Sequence, residues 1–286
     1  MGSPEPITLQ LPHIELAGLA YGPKDAPKVL ALHGWLDNAA TFTRLIPKLP
    51  GLRIVALDLA GHGLSGHRPK GCGYHLIDYV QDTLDAAAVL GWERFSLLGH
   101  SLGAIVSVLL TSSFPERVER LALVDGGLPL VGEPEDGPAR LRKALTRRLS
   151  SATRRKPVYA DTESAVLARM NGMRPVSREA AEILVQRGLM PVADGFTWRS
   201  DVALTVPTGV LMTLEQSLAF ARSIQRPGVL VLADDGIRQD HDELEALCQT
   251  LPLHVARAPG GHHLHLDDEA GASAVAHCFK GLFSNP

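Results

Sequence analysis

The run Phe95-Ser96-Leu97-Leu98-Gly99-His100-Ser101-Leu102-Gly103-Ala104 constrains the fold of this chain more than any other stretch. Phe95 to Leu98 is apolar throughout, as expected of a strand buried on both faces. Leu102 to Ser113 is apolar enough for a buried helix, and Phe114-Pro115 stops it. Between them Gly-His-Ser-Leu-Gly leaves room only for a sharp turn. A serine on a strained turn allows strand and helix to pass closely only where its neighbours lack side chains, which Gly99 and Gly103 provide. Such a turn lifts the Ser101 hydroxyl above the sheet. It also aims the unpaired amides of the following helix, at the positive end of its dipole, toward the same point.

The rest of the chain repeats the strand-then-helix alternation. Short apolar strands are expected at Ile7–Leu11, Ile14–Ala20, Lys28–Leu32, Arg53–Asp58, Arg120–Val124, Val229–Ala233 and Leu253–Ala256. Helical patterns fall at Ala39–Leu49, with Asp37 or Asn38 as cap, and at His75–Leu90, with Gly91 beyond its end. Two more fall at Asp242–Thr250 and Asp267–Phe283. This is the pattern of a mostly parallel sheet with helices on both faces. The alternation lapses between residues 128 and 227, where only helical patterns appear, broken at Pro157, Pro175, Pro191 and Pro207. The expected organisation is therefore a core of 1–127 and 228–286 with a helical cap of 128–227. Arg140, Arg142, Lys143, Arg147, Arg148, Arg154, Arg155 and Lys156 crowd the first part of the cap, and a solvated helix face is the favoured reading of that run.

Composition excludes several classes. A net charge of −3 with 21% charged residues calls for neither nucleic acid nor an anionic membrane as partner. No apolar run reaches the ~18 residues of a membrane span. Cys72, Cys248 and Cys278 are odd in number, widely spaced and without metal-ligand spacing, which favours free thiols in a reducing, cytoplasmic setting. The N-terminus shows no basic flank and no apolar segment of a signal peptide. Gly61-His62-Gly63-Leu64-Ser65-Gly66 matches the dinucleotide pattern letter for letter. However, His67-Arg68-Pro69-Lys70-Gly71 follows where a helix would have to open, so the match lacks the helix N-terminus that holds a pyrophosphate.

The polar clusters all fall at the C-terminal ends of expected strands: His33-Gly34-Trp35, Ser101, Asp125, Asp234-Asp235 and His262. Open α/β sheets bind ligands there. A serine hydroxyl is a poor nucleophile until a histidine takes its proton, and that histidine needs a carboxylate to fix its tautomer. Ser, Asp, His in that chain order is one known arrangement of such a triad.

On HGWLDNAATF at 33–42, LDLAGHGLS at 57–65, RFSLLGHSLG at 94–103, LVQRGL at 184–189 and GGHHLHL at 260–266, the chain resembles α/β-hydrolases along nearly its whole length. Within them it most resembles the serine hydrolase-like proteins. The resemblance implies Ser101 as nucleophile and His262 as base. It implies an oxyanion hole from the amides of Trp35 and Leu102, worth several kcal/mol of barrier for two such donors. The triad acid is expected at Asp235, which like the usual acid precedes a turn residue. Asp125, at the end of the preceding strand, is the alternative and Asp234 a distant third. Trp35, His100, Phe196, Trp198, Met212 and Phe220 are candidate substrate-pocket residues, while His33 and His62 read as structural loop histidines. Relatives that use an aspartate at the elbow, the haloalkane dehalogenases and epoxide hydrolases, are set aside by Ser101. The expected activity is carboxylesterase-like hydrolysis of a small acyl ester through an acyl-enzyme, by a monomer or homodimer, with no cofactor and no metal. A thioesterase or C–C bond hydrolase with the same triad, or a non-catalytic binding protein on this fold, are the alternatives.

Overall fold

The computed structural model describes residues 3–151, 155–237 and 251–283. The expected helix at Asp242–Thr250 and the side chain of Cys248 lie outside them. One sheet of eight strands organises the chain: β1 (Glu5–Gln10), β2 (Glu15–Tyr21), β3 (Lys28–Leu32), β4 (Arg53–Leu57), β5 (Phe95–His100), β6 (Val118–Val124), β9 (Gly228–Asp235) and β10 (His254–Gly261). Their spatial order is β1-β2-β4-β3-β5-β6-β9-β10. β1 and β2 join antiparallel, and every pairing from β4 to β10 is parallel. The central strands are buried on both faces, with Leu30, Leu32, Leu97 and Leu98 wholly inaccessible.

Helices cover both faces. Leu97, Leu123 and Leu230 pack with α1 (Leu76–Val89) and α2 (Leu102–Ser113) in one apolar cluster. Leu98, Val124 and Val231 pack on the other face with the C-terminal helix Glu269–Cys278 and the turns near Phe42 and Ile46. The segment Ala39–Leu49, expected as one helix, forms two 3-10 turns, Ala39–Phe42 and Ile46–Lys48, with Pro47 opening the second. Asn38 caps the first through its side-chain oxygen, which accepts from the Ala40 amide at 3.0 Å. The last helix starts at Glu269, because Asp268 caps it by accepting from the Gly271 amide.

Between β6 and β9 lie α3 (Gly137–Ser151), α4 (Thr162–Met170), α5 (Arg178–Gly188), the antiparallel pair β7 (Leu189–Val192) and β8 (Gly195–Trp198), and α6 (Leu214–Arg222). The expectation of helices alone is corrected by this hairpin, which Gly195 closes at φ 136°. α4, α5 and the hairpin share their own apolar cluster, from Ala165 and Leu184 to Phe196 and Trp198. α6 instead packs on α2, where Ser112 donates to the Phe220 carbonyl at 2.6 Å and Ala221 joins the main core. The segment meets the sheet at the loops following β3, β4 and β10. Trp35 Nε1 donates to Leu204 O (3.0 Å), Asn38 Nδ2 to Leu184 O (2.9 Å), and the Ser177 amide to Asp267 Oδ1 (2.9 Å).

Candidate active site

The turn between β5 and α2 takes the strained form its glycines allow. Ser101 sits at φ 51°, ψ −113°, a region costing a residue with a side chain of order 1–3 kcal/mol. Three backbone bonds hold it there. Its amide donates to Val124 O (3.1 Å), its carbonyl accepts from the Ile105 amide (3.1 Å), and the Gly103 amide donates to His33 O (3.0 Å). A Cβ on Gly103 would fall 1.9 Å from Leu32 O, and one on Gly99 2.6 Å from the Ala104 backbone. The Gly103–His33 bond clamps the first turn of α2 against the loop carrying Gly34 and Trp35. The two segments bearing the Trp35 and Leu102 amides are thereby joined.

His262 follows β10 and is almost fully buried. Its Nδ1 lies 2.6 Å from Asp125 Oδ2. Asp125 closes β6 at φ 42°. Its carboxylate also accepts from the Ala233 amide (3.0 Å) and the Ile237 amide (2.9 Å). A carboxylate fixed by three donors and facing Nδ1 leaves Nε2 as the nitrogen able to take a proton. The favoured acid, Asp235, is elsewhere: it is the last residue of β9, in register with Gly261, and its side chain is exposed. The Asp-Gly signal that favoured Asp235 has a different meaning. Gly236 makes room for Asp125, since a Cβ there would lie 2.3 Å from Asp125 Oδ1. Asp234 is exposed as well.

A second polar centre lies beside the first. Asp37 accepts from Arg169 Nη2 at 3.0 Å and sits 3.0 Å from His263 Nε2. Burial alone would raise the Asp37 carboxyl, but His263, Arg169 and His100 around it hold it well below the usual carboxylate range. Asp37, His100 and His263 bring ligand-type atoms within 4.8 Å of one another, yet the guanidinium of Arg169 already stands in a cation's place beside the carboxylate. His100, a candidate substrate contact in the sequence, is wholly buried here. Its Nε2 donates to the His262 carbonyl (3.0 Å) and its ring centroid lies 4.7 Å from that of His262. Burial, then the neighbouring His265, His262 and His263, push its pKa well down, so the ring is neutral.

The remaining candidates separate. Trp35 is partly exposed and its ring bridges to Leu204. Trp198 and Phe196 belong to the apolar cluster of α4 and α5, though Trp198 also lines a small cleft with Leu36, Asn38 and Gly188. Met212 and Phe220 pack against the main core. His33 is structural, as expected: Nδ1 donates to Gly34 O (2.7 Å) and Nε2 accepts from the Leu59 amide (2.9 Å). The Gly61–Gly66 stretch is a closed loop, the Gly61 amide donating to Gly66 O at 2.9 Å. What sequence reasoning missed is the role of Asp58. It is fully buried and accepts from the amides of Ala39 (2.7 Å) and Leu64 (2.8 Å) and from Arg187 Nε (2.9 Å). The signal was present in LDLAGHG and QRG, which this one carboxylate ties together.

An eight-stranded sheet with a strained serine turn after β5 and a carboxylate-paired histidine after the last strand defines the α/β-hydrolase class. The family model described as alpha/beta hydrolase fold matches residues 27–269. The serine hydrolase-like protein of Danio rerio is 33% identical over 93% of this chain and 85% of its own length. A crystal structure of a hypothetical protein from Pseudomonas aeruginosa PAO1 superposes with a TM-score of 0.96 at 56% identity, over 98% of this chain and all of that one. The thioesterase domain of the curacin biosynthetic pathway gives 0.83 at 26% identity, over 96% and 100%. The chain belongs to the α/β-hydrolase family and, within it, to the serine hydrolase-like proteins. Among the described residues no helix is long and apolar enough to cross a membrane.

Proposed function

We propose that this protein is a serine hydrolase that cleaves an ester or related acyl substrate through an acyl-enzyme, with Ser101, His262 and Asp125 as its triad. The observation that carries the reading is the 2.6 Å contact of Asp125 with His262 Nδ1 at the sheet end that presents Ser101. Ser101 Oγ attacks the acyl carbon while its proton passes to His262 Nε2. The resulting imidazolium is stabilised by Asp125, and its proton then leaves with the alcohol. Water, deprotonated by the same nitrogen, attacks the acyl-enzyme and releases the acid. The amides of Trp35 and Leu102 carry the oxyanion in both steps. Residues 128–227 act as the cap, with α4, α5 and the β7–β8 hairpin over the strand ends and Trp35 at the boundary where acyl size is selected.

The test is labelling with a fluorophosphonate, located by mass spectrometry, together with turnover of a chain-length series of p-nitrophenyl esters. Label on Ser101 and turnover lost in Ser101→Ala support the reading. An unlabelled, inactive wild type would instead mark a binding protein. Likeness to the curacin thioesterase domain favours a thioester as a second substrate class for the same triad. Comparing one acyl group as oxyester and as thioester separates the two.

A further inference from the structure

Among the described residues three that are not glycine stand at positive φ: Leu36 (63°), Ser101 (51°) and Asp125 (42°). The last two belong to the proposed triad. Leu36 does not, yet it sits beside the same chemistry. It is the third residue of the turn Gly34–Asp37, which the Asp37 amide closes by donating to Gly34 O at 3.1 Å. With positive φ that position of a turn normally takes glycine or asparagine. A leucine stays there only where its surroundings fix it. The second residue of the turn is Trp35, whose amide is the proposed oxyanion donor.

What fixes the turn comes from residues 128–227. Trp35 Nε1 reaches Leu204 O, Asp37 Oδ1 accepts from Arg169 Nη2 at 3.0 Å, and Asn38 Nδ2 reaches Leu184 O. The hydrogen-bond partners of Ser101, Asp125 and His262, by contrast, lie in the core. Of the three ties, the one at Asp37 acts on the residue that closes the turn, and it is charged at both ends, the stronger kind of hydrogen bond. Arg169 Nη1 donates to Arg174 O at 2.9 Å, so the guanidinium is itself held in place. Asp37 Oδ2 meets His263 Nε2 at 3.0 Å, which fixes the second carboxylate oxygen. The carboxylate also packs on the start of the turn: a Cβ on Gly34 would lie 3.2 Å from Asp37 Oδ2 and 2.9 Å from His100 Nδ1. We propose that Arg169 is a positioning residue for the oxyanion hole, acting through Asp37. Its guanidinium holds the strained turn in the form that points the Trp35 amide at the oxyanion. The role rests on the hydrolase reading above. An amide so aimed matters most when the oxyanion has formed, so losing it weakens the transition state more than the bound substrate.

The experiment measures kcat/KM on a p-nitrophenyl ester and the inhibition constant of a trifluoromethyl ketone with the same acyl chain. The ketone adds to the nucleophile and places an oxyanion in the hole. The proteins are wild type, Arg169→Met, Arg169→Lys and Arg169→Met combined with Leu36→Gly, with active sites counted by fluorophosphonate titration. Arg169→Met should lower kcat/KM by about 10- to 100-fold, part of the roughly 10²–10³ that a whole oxyanion donor is worth. The inhibition constant should rise by the same factor, because the ketone mimics the transition state. Arg169→Lys, which keeps a cation for Asp37, should recover most of the loss. Leu36→Gly should recover part of it, because glycine holds positive φ without the anchor. If Arg169→Met does not fold, Arg169→Gln is read in the same way. A merely structural role would lower the count of active sites and leave the inhibition constant of the remainder unchanged; that result overturns the proposal, as does wild-type kcat/KM in Arg169→Met. A wild type that fluorophosphonate does not label overturns the hydrolase reading itself, and this role with it.

Discussion

Asp125 Oδ2 stands 2.6 Å from Nδ1 of His262 while the same carboxylate accepts the backbone amides of Ala233 and Ile237. This carboxylate is therefore held by β9 and the turn after it, although it belongs to the loop after β6. β9 supplies the cradle and Gly236 the space. Asp125→Asn should lower ester turnover by roughly 10⁴-fold, because an amide in that cradle stabilises the wrong tautomer of His262. Asp235→Asn, at an exposed position, should stay within about threefold of wild type, since exposed substitutions away from a site do little. Steady-state kinetics of the two variants decide it; the reverse ranking would move the acid to β9.

How the sequence ranked these aspartates shows what can be read locally. The elbow was legible because its demand for glycine on either side of Ser101 is written within five residues. The carboxylate partner of His262 was less so, because Asp125-Gly126 and Asp235-Gly236 look alike and only the adjacency of β6 and β9 tells carboxylate from cradle. The β7–β8 hairpin escaped because its strands are four residues each and Pro191 interrupts the first. His100 misled for a geometric reason. It lies next to Ser101 in sequence, but on the last position of β5 its ring turns into the protein, under His262.

The elbow glycines allow a second prediction. In Gly103→Ala the new methyl would meet the Leu32 carbonyl at 1.9 Å, and backbone on both sides cannot yield. The variant should lose more than about 3 kcal/mol or fail to fold, the scale of severe overpacking. Gly137→Ala at the start of α3 meets nothing within 4 Å and should be neutral or gain up to about 1 kcal/mol. Urea unfolding of both variants checks the contrast, and an equally stable Gly103→Ala would show that strand and helix can separate at the elbow.

Buried histidines predict a pH dependence of stability. Burial first, then the neighbouring imidazoles of His33 and His263 respectively, lowers His62 and His265 to about 3, and burial with its histidine neighbours lowers His100 well below 6.5. Below 6.5 the unfolded chain binds protons that the folded chain refuses, so stability is full above that pH. It drains away as pH falls from about 6.5 toward 3. Each such histidine contributes a slope of up to about 1.4 kcal/mol per pH unit in that window. The depressed Asp37 adds its own loss only below the ordinary carboxylate range, so it does not set the upper edge. Urea unfolding at pH 7, 6 and 5 should show the decline, with a shallower slope in His265→Gln. A free energy unchanged from pH 7 to 5 would contradict the neutral, buried histidines.

The joint between Asp58 and Arg187 makes the last prediction. Asp58 lies in the loop after β4, Arg187 at the end of α5, and their side chains are 0% and 12% exposed. Removing one partner of a buried pair strands the other, typically at about 3–5 kcal/mol, whereas removing both together costs less. The two partners are not equivalent here. Arg187→Met leaves a carboxylate that still accepts from Ala39 and Leu64, so its cost should sit at the lower end of that range. Asp58→Ala leaves two amides and a guanidinium without their acceptor and should cost more. The double variant should cost less than the sum of the two, by about 1 kcal/mol or more, because the stranded charge is gone. Because the joint holds α5 to the loop after β4, Arg187→Met should also expose residues 128–227 to limited proteolysis before the sheet is cut. Urea titration of the four proteins in the cycle, with proteolysis of each under native conditions, measures both effects. Strict additivity in the cycle would mean that the two side chains stabilise the protein independently and that α5 is held by its apolar packing alone.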